Sequence, residues 1–229
     1  ANSSTGNVYD GTEKSAKGVV TDRFVIDDVE YAVSGYETQD PAEVAAGVYT
    51  NNVSGDFKVK DPAGNDVTSE FAVHTEDGEL EIAKRPVTVT AKGGEKQYDG
   101  KPLTAADTGY DIGGEGLVEG HEADVALSGS QTAPGASPAT VESVAVKDGD
   151  VDVANNYDVA TADGSLKVTN RDAKYEVTLK ANSSTGNVYD GTEKSAKGVV
   201  TDRFVIDDVE SAGSGYETQD PASVAAGAS

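Results

Sequence analysis

Hard oxygen ligands are concentrated in one short stretch of this chain. Residues 148–156 read DGDVDVANN, and the side chains that could share one ion are Asp148, Asp150, Asp152 and Asn155. Calcium is the cation that prefers carboxylate and amide oxygens. The spacing differs from an EF-hand loop, because Val153 stands where that loop needs glycine and Val159 where it needs glutamate. The alternative interpretation is a strand with Val151 and Val153 inward and its carboxylates in solvent.

Catalytic chemistry has little support in the residue types present. His74 and His121 are the only imidazoles, neither has a second ligand at metal-site spacing, and the chain has no cysteine. A serine triad would need an exposed nucleophile on a strained turn, and the sequence has no such pattern. We therefore predict that the chain is not an enzyme, that both imidazoles are structural, and that calcium is the one cofactor to consider.

A binding surface in a repeated protein would need an exposed aromatic or polar patch. The nearest candidates are Tyr36, Tyr49, Asn51 and Asn52. They make host glycans or extracellular matrix proteins the partners to consider. The chain has 41 acidic and 18 basic residues, a formal charge of -23, which repels phosphate backbones and anionic lipid. We therefore expect no nucleic-acid partner and no membrane insertion.

Internal repetition organises these residues. Residues 1–30 recur without change as 181–210, and the tripeptide Tyr-Asp-Gly begins at Tyr9, Tyr98 and Tyr189. Tyrosine and aspartate suit sugar binding. The alternative is a fold motif, in which tyrosine packs in the core, aspartate bonds the turn backbone and glycine supplies a positive φ. We predict the fold motif.

The phase of the repeat predicts three modules, 1–85, 86–171 and 172–229. The first is expected to lack its leading strand, because its equivalent, 172–180, would precede Ala1. The third is a partial near-copy of 1–49 with that strand. The joints have no Gly/Ser linker, so the array should be semi-rigid.

Strand signals dominate the secondary-structure pattern. The predicted strands are 18–20, 24–26, 29–33, 57–59, 71–74, 80–82, 87–90, 110–112, 124–128, 140–146, 157–160, 166–168 and 175–179. Asp-Gly and Ser-Gly turns separate them, and residues 41–46 could form a short helix capped by Asp40. The fold class is therefore all-β, with small sandwich-like modules, Ig-like or β-grasp-like, in an elongated array.

The third module differs from the first in one direction. Every change is to a smaller residue: Tyr31, Val33, Glu43, Val48 and Tyr49 become Ser211, Gly213, Ser223, Ala228 and Ser229. Residues 29, 31 and 33 alternate on one strand face. Losing two of those side chains would cost a few kcal/mol if they are buried.

A family resemblance covers the second module and the residues that lead into it. Residues 80–91 (LEIAKRPVTVTA), 96–104 (KQYDGKPLT) and 116–121 (GLVEGH) resemble the MBG/YDG-type repeats of bacterial cell-surface proteins. The other two modules keep Tyr-Asp-Gly but lack the Gly-His segment. The resemblance implies an exported, adhesin-like protein at the bacterial surface, anchored through a region outside this sequence. Together with the array of repeats, this leads us to predict a stalk that projects a binding domain from the cell or, alternatively, repeats that themselves bind host glycans or matrix proteins.

The leading strand also predicts self-association. Residues 172–180 form the strand that 1–85 lacks, and an unfilled strand position leaves an edge that invites pairing with another chain. Head-to-tail association through 172–180 is therefore expected.

Overall fold

The computed structural model describes residues 1–224 and is almost entirely β, which confirms the predicted fold class. Ala228 and Ser229, two of the positions at which the third predicted module has a smaller residue than the first, lie outside the described residues. The contacts divide the chain into two compact units. The first unit comprises Ala1–Lys92, Gly109–Ser128 and Thr140–Asp163, and the second comprises Gly93–Thr108, Gly129–Ala139 and the described residues from Gly164 onward. The module boundaries at 85 and 171 and the tandem arrangement stay predictions.

The strands are short and follow the chain in close succession. The first nine are β1 Ser4–Val8, β2 Lys14–Ser15, β3 Arg23–Ile26, β4 Val29–Thr38, β5 Ala42–Glu43, β6 Gly47–Asn51, β7 Val53–Lys60, β8 Gly78–Ala83 and β9 Arg85–Ala91. The later ones are β10 Gly94–Gln97, β11 Leu103–Thr104, β12 Tyr110–Gly114, β13 His121–Ser128, β14 Ser130–Gln131, β15 Gly135–Asp148, β16 Val151–Asp152, β17 Tyr157–Ala162, β18 Gly164–Thr169, β19 Lys194–Ser195, β20 Arg203–Ile206, β21 Val209–Ala212 and β22 Ala222–Ser223.

Within residues 1–224, helical structure is limited to single turns. They are α1 Ala105–Thr108 and two 3₁₀ turns, Thr68–Glu70 and Ala154–Asn156. The helix predicted at 41–46 is wrong, because Ala42–Glu43 forms β5 against β2. Asp40 does not cap a helix. Its backbone has a φ of 52°, and its carboxylate accepts a hydrogen bond from the Gly18 amide at 2.7 Å.

In the first unit, period-two alternation builds the core. Along β8 every second residue is buried, including Leu80 and Ile82, while Glu79 and Glu81 point to solvent. Strand β1 lies parallel to β8 on one side and β6 lies antiparallel on the other. This alternation is that of a strand with one face on a core and one in water.

Strand β9 is the middle strand of a second sheet in the first unit. It pairs antiparallel with β12 and parallel with β17. Its core-facing residues Val87, Val89 and Ala91 are at most 2% exposed. Val87 and Val89 join Leu80 and Ile82 in one apolar cluster, to which Tyr9, Ala16, Val146 and Tyr157 also belong.

Besides the pair β2–β5, the first unit contains two further sheets. Strands β3, β4 and β7 form an antiparallel sheet whose first hairpin turns at Asp27 and Asp28, both with positive φ, as a type I′ turn requires. The rings of Phe24, Tyr31 and Phe71 pack together on it, with centroids 5.0–5.6 Å apart. Strand β13 pairs with residues 140–148 of β15, and β16 adds to the end of β15.

The second unit has its own small sheets. Strand β18 pairs with β10 and with residues 135–139 of β15. Shorter antiparallel pairs are β11 with β14, β19 with β22, and β20 with β21. The buried residues are Ala105, Ala139, Leu166 and Val168.

Three of the predicted strands are wrong. Residues 18–20, 71–74 and 175–179 have strand-like sequences but lie outside every strand of the described chain. A strand needs a ladder partner to satisfy its backbone groups. The first two segments border a groove that no strand of residues 1–224 occupies, and the third pairs only at its end, where the Val200 amide donates to the Lys180 carbonyl.

Candidate functional site

The Tyr-Asp-Gly turns are built alike. The Asp10 carboxylate accepts hydrogen bonds from the amide and the hydroxyl of Thr12, at 2.9 and 2.6 Å, and Gly11 has a φ of 78°. Asp190 bonds the Thr192 amide at 2.9 Å in the same way. The turns at Asp99 and its neighbours repeat the pattern, with the Lys101 amide as donor at 3.0 Å. The predicted turn chemistry is therefore confirmed.

A lysine closes the first and third of these turns. Lys14 Nζ lies 2.6 Å from Asp10, and Lys194 Nζ lies 2.7 Å from Asp190. The lysine hydrogen bond, followed by the threonine bonds, holds the pKa of Asp10 well below its usual range. The same causes lower the pKa of Asp190 to about 2. Both aspartates are therefore anionic wherever the turn is intact at ordinary pH.

The tyrosine of the first turn packs against residues of the second predicted module. Tyr9 is 4% exposed, and its ring meets that of Tyr157 edge-on, with centroids 5.6 Å apart. His121 lies 6.1 Å away on the same ring. Burial, followed by the nearby Tyr157, raises the pKa of Tyr9. All these residues belong to the first unit, so this is an internal contact of that unit.

Tyr157 also forms hydrogen bonds with the loop 115–121, next to Tyr9. Its hydroxyl accepts a hydrogen bond from the Val118 amide at 3.1 Å and lies 2.7 Å from His121 Nδ1. A Cβ on Gly11 would stand 2.9 Å from the Val118 side chain, so glycine also permits this close approach. His121 is thus used structurally, as the sequence predicts.

Arg85, the first residue of β9, binds both the first turn and the loop 115–121. Its Nε donates to the Gly116 carbonyl at 2.8 Å, and its Nη1 lies 3.5 Å from the Tyr9 carbonyl. It also pairs with the Glu115 carboxylate at 3.3 Å. The rigid guanidinium fork suits several oxygens at once. We call this set, Tyr9 with Arg85 and the loop 115–121, the first junction.

A second junction in the second unit uses equivalent parts. Arg171 Nη1 donates to the Tyr98 carbonyl at 3.2 Å, as Arg85 does to that of Tyr9. The guanidinium also lies 3.9 Å above the ring of Tyr175, whose hydroxyl donates to Asp207 at 2.6 Å. That hydrogen bond raises the pKa of Tyr175. Gly100 faces Val209 as Gly11 faces Val118.

The third Tyr-Asp-Gly turn has the same sequence as the first, but its tyrosine does not pack into a core. Tyr189 is 65% exposed, although its turn repeats the bonds of the first. Tyr98 is half-buried. The prediction that all three tyrosines pack in a core therefore holds for Tyr9 and is wrong for Tyr189, because turn chemistry is local whereas burial of the ring needs an opposing surface.

The role of the two arginines was not predicted from the sequence. Arg85 and Arg171 stand at the predicted joints, one repeat apart. Arg85 begins β9, and Arg171 lies shortly before residues 175–180, so each arginine lies close to the start of a predicted leading strand. Every residue has a backbone carbonyl, so the sequence does not indicate which carbonyls the two arginines bind.

The groove lies in the first unit. Its volume is about 560 Å³, and residues 19–22 and 73–77 form its two sides. Val33, Tyr36 and Phe57 line it between them, and Ala1 lies at one end. Neither side of the groove forms a strand in residues 1–224.

The candidate calcium ligands do not converge. Asp148 and Asp150 belong to a tight turn between β15 and β16, and both are exposed. Asp152 Oδ1 accepts the Ala154 amide at 2.9 Å, and Asn155 is exposed. Within residues 1–224 no three carboxylates or imidazoles gather as a metal site. Calcium binding by these residues stays a prediction.

The alternative prediction for this stretch, a strand with Val151 and Val153 inward, is correct for Val153 and wrong for Val151. Val153 is half-buried and packs against the core of the first unit. Val151, expected to point inward beside it, is 63% exposed, because the turn after Asp148 places it at the end of the hairpin.

The candidate binding residues lie in different surroundings. Asn51 is fully buried; its amide donates to Asn2 and Gly18 carbonyls and its oxygen accepts from Asp40, so no external ligand can reach it. The other three do not form one patch: the Tyr49 hydroxyl donates to the Ala45 carbonyl, the Asn52 amide donates to Gln39, and Tyr36 lines the groove.

No helix within residues 1–224 is long and apolar enough to cross a membrane. Comparison of the chain with protein-family models, with curated proteins and with solved structures finds no match. What the chain does must therefore be argued from the junctions and the groove themselves.

Proposed function

We propose that this chain is a structural repeat region of a bacterial surface protein, a semi-rigid stalk that holds a binding domain away from the cell. The observation that carries the proposal is the repeated junction. Arg85 and Arg171 each bond the carbonyl of a Tyr-Asp-Gly tyrosine, at two places one repeat apart in the sequence.

The junction has the physical features of a stiff joint. The chain passes through Arg85 directly into β9 without a flexible linker. Charge-assisted hydrogen bonds are stronger than neutral ones and restrict geometry. Burial of a tyrosine ring adds apolar area to the contact. A joint of this kind resists bending, which a spacer needs and a flexible tether does not.

The surface assignment is supported by charge and by resemblance. A formal charge of -23 keeps a long repetitive chain soluble and separate from its neighbours. The resemblance to MBG/YDG-type repeats points to an extracellular protein of the bacterial surface, anchored through another region.

Spin-label distances across the first junction test the stiffness. The chain has no cysteine, so Thr12→Cys with Glu119→Cys labels two exposed sites on either side of it. We expect a narrow distance distribution that broadens in Arg85→Ala. Arg23→Ala is the matched control, because that arginine pairs with Glu30 on an exposed hairpin away from the junction. A broad distribution in the parent chain would contradict a stalk.

The alternative is that the repeats themselves bind host glycans or matrix proteins. An array of such ligands, screened with calcium and with chelator, separates the two functions. Saturable binding would make the repeats adhesive, and its loss with chelator would assign a role to Asp148 and Asp152. A blank array in both conditions leaves the spacer as the function of this region.

A further inference from the structure

Six Asp-Gly pairs occur in the sequence, at 10–11, 77–78, 99–100, 148–149, 163–164 and 190–191. An aspartate followed by glycine is prone to cyclise, because glycine has no side chain to obstruct its own backbone nitrogen. We propose that Asp148 is a site of spontaneous covalent modification, at which the folded chain isomerises to isoaspartate while the other five pairs are protected.

The reaction needs no reagent except water. The backbone nitrogen of Gly149 attacks Cγ of Asp148 and forms an N–Cγ bond. The carboxyl C–O bond breaks, and the hydroxyl leaves with the amide proton as water, so that a five-membered succinimide remains. Water then adds to one of the two ring carbonyls. Addition at Cγ restores aspartate, whereas addition at the main-chain carbonyl breaks that carbon's bond to nitrogen and leaves isoaspartate, with the backbone running through Cβ and Cγ.

Two features of the fold decide whether this ring can close. The carboxyl group must be able to turn toward the next backbone nitrogen and to carry the proton with which its oxygen leaves. The nitrogen must also be able to leave its place in the fold, which a position inside a sheet ladder opposes. The six pairs differ in both features.

The aspartates of the three Tyr-Asp-Gly turns are held by their hydrogen bonds. Each accepts a backbone amide two residues on, and each also binds a lysine, since Nζ of Lys14, Lys96 and Lys194 lies 2.6–2.8 Å from its aspartate. The lysine bonds, followed by those of the other donors, lower the pKa of all three carboxyls. A carboxylate held in this way resists both rotation and protonation.

Two further pairs are protected by the sheets. The Asp77 carboxylate accepts the Val53 amide at 3.0 Å, and the glycine that follows it begins β8. Asp163 is exposed, but Gly164 lies inside β18, across from Ala139 of β15. Because Ala139 is fully buried, closing the ring at Asp163 would separate two strands over a buried residue.

Asp148 meets both requirements. It is exposed, and His121 Nε2 lies 3.9 Å from its carboxylate, which is beyond hydrogen-bond distance. Gly149 lies in the turn between β15 and β16, outside the ladder, with a φ of 56° and open space around it. Strand β16 has only two residues, so this end of the hairpin opens with little loss of pairing.

The site borders the first junction. Asp148 is the cross-strand partner of His121, whose ring packs beside that of Tyr9. Isoaspartate adds one atom to the backbone at this position and shifts the end of β15 relative to β13. We therefore expect the NMR signals of the His121 ring to move as the modified chain accumulates.

Peptide mapping of the full 229-residue chain, aged at neutral pH, tests the proposal. One sample is aged folded and one in guanidinium chloride, and electron-transfer fragmentation assigns the isoaspartate to each of the six pairs. In the folded sample we expect Asp148 to react several-fold faster than any other pair. In guanidinium chloride the six pairs should react at similar rates, because the turns and sheets that protect five of them are lost.

Two glutamate variants form a matched pair, because glutamate cannot close the five-membered ring. Asp148→Glu should remove most of the isoaspartate of the folded chain, and Asp163→Glu should leave its amount unchanged. A third variant, Thr12→Val with Lys14→Ala, removes both side-chain partners of Asp10. Isoaspartate should then rise at Asp10 and stay low at Asp190, which keeps the same partners in an identical local sequence.

The contradicting results are equally definite. Equal rates at all six pairs of the folded chain overturn the proposal, and so does a faster reaction at any other pair than at Asp148. Isoaspartate that forms at Asp148 only in guanidinium chloride overturns it as well. An Asp10 that stays as unreactive as Asp190 after loss of its partners contradicts the protection of the held carboxylates.

Discussion

Two regions of the first unit have equivalent sequences and different structures. Residues 110–114 and 157–162 form strands β12 and β17 on either side of β9. Residues 19–22, which correspond to 110–113, and residues 71–76, which correspond to 157–162, form no strand and border the groove. The 3₁₀ turns that precede residues 71 and 157 have the same geometry. The two segments therefore differ only after these turns, where 157–162 pairs with β9 and 71–76 pairs with no strand.

The comparison teaches that β structure in this repeat is set by the partner rather than by the segment. Residues 71–74 read FAVH and 157–160 read YDVA, and both alternate. Only the second has β9 beside it. Without a strand beside it, 71–76 does not adopt the strand conformation, and its Glu76 carbonyl accepts a hydrogen bond from the Ala1 amino group instead. The same contrast separates Tyr9 from Tyr189.

The largest expected effect concerns the buried and exposed tyrosines. Tyr9→Ala should lower the free energy of unfolding by about 3–5 kcal/mol, the usual range for removing a large buried aromatic side chain. Tyr189→Ala, in an identical local sequence, should change it by less than about 0.5 kcal/mol, because the ring is largely in solvent. Urea denaturation followed by circular dichroism measures both. Equal losses would contradict the burial difference.

A smaller effect separates the leading strand from its equivalent. Val87→Ala should cost about 2 kcal/mol, from the methyl groups removed and the cavity left behind. Val177→Ala should cost under about 1 kcal/mol in the single-copy state, since that side chain is 44% exposed. The measurement is the same denaturation at low protein concentration. A larger loss at Val177 would mean that 175–180 already packs in its own unit.

The smallest effect is a pH dependence at the Tyr-Asp-Gly turns. The folded pKa of Asp190 is about 2, against 3.8 for the free residue. A depressed folded pKa stabilises the fold above 3.8, and this contribution is lost as pH falls from 3.8 toward 2. In the Asp190→Asn variant the free energy of unfolding should therefore depend less on pH between 3.8 and 2. Asp10→Asn should reduce the acid sensitivity of the first turn in the same direction. Carboxyl shifts measured by NMR that titrate near 3.8 would contradict this.

Much of the fold could be predicted because its signals are local. Alternating strands such as β8 and β18 and the Tyr-Asp-Gly turns depend on residue type and on neighbours a few positions away. The helix expected at 41–46 failed for the converse reason, since β2 supplies a distant partner that local propensity does not register.

The candidate site was harder to predict because its contacts are non-local. Arg85 binds carbonyls of the first turn and of loop 115–121, and no side-chain pattern marks a carbonyl. Asn51 resembles an exposed amide in sequence and is fully buried among backbone groups. Tyr189 shares all its neighbours in sequence with Tyr9 and differs only in what faces it. Sequence repetition predicts the parts of a junction, whereas its contacts need the structure.

Amide hydrogen exchange tests the central claim most directly. The sample is the chain at micromolar concentration, and the amides compared are those of 157–162 and 71–76. We predict slow exchange in 157–162, where β9 supplies the ladder, and fast exchange in 71–76, where it is missing. Equal protection of the two segments would contradict the account, because it would mean that 71–76 holds its strand without a middle partner.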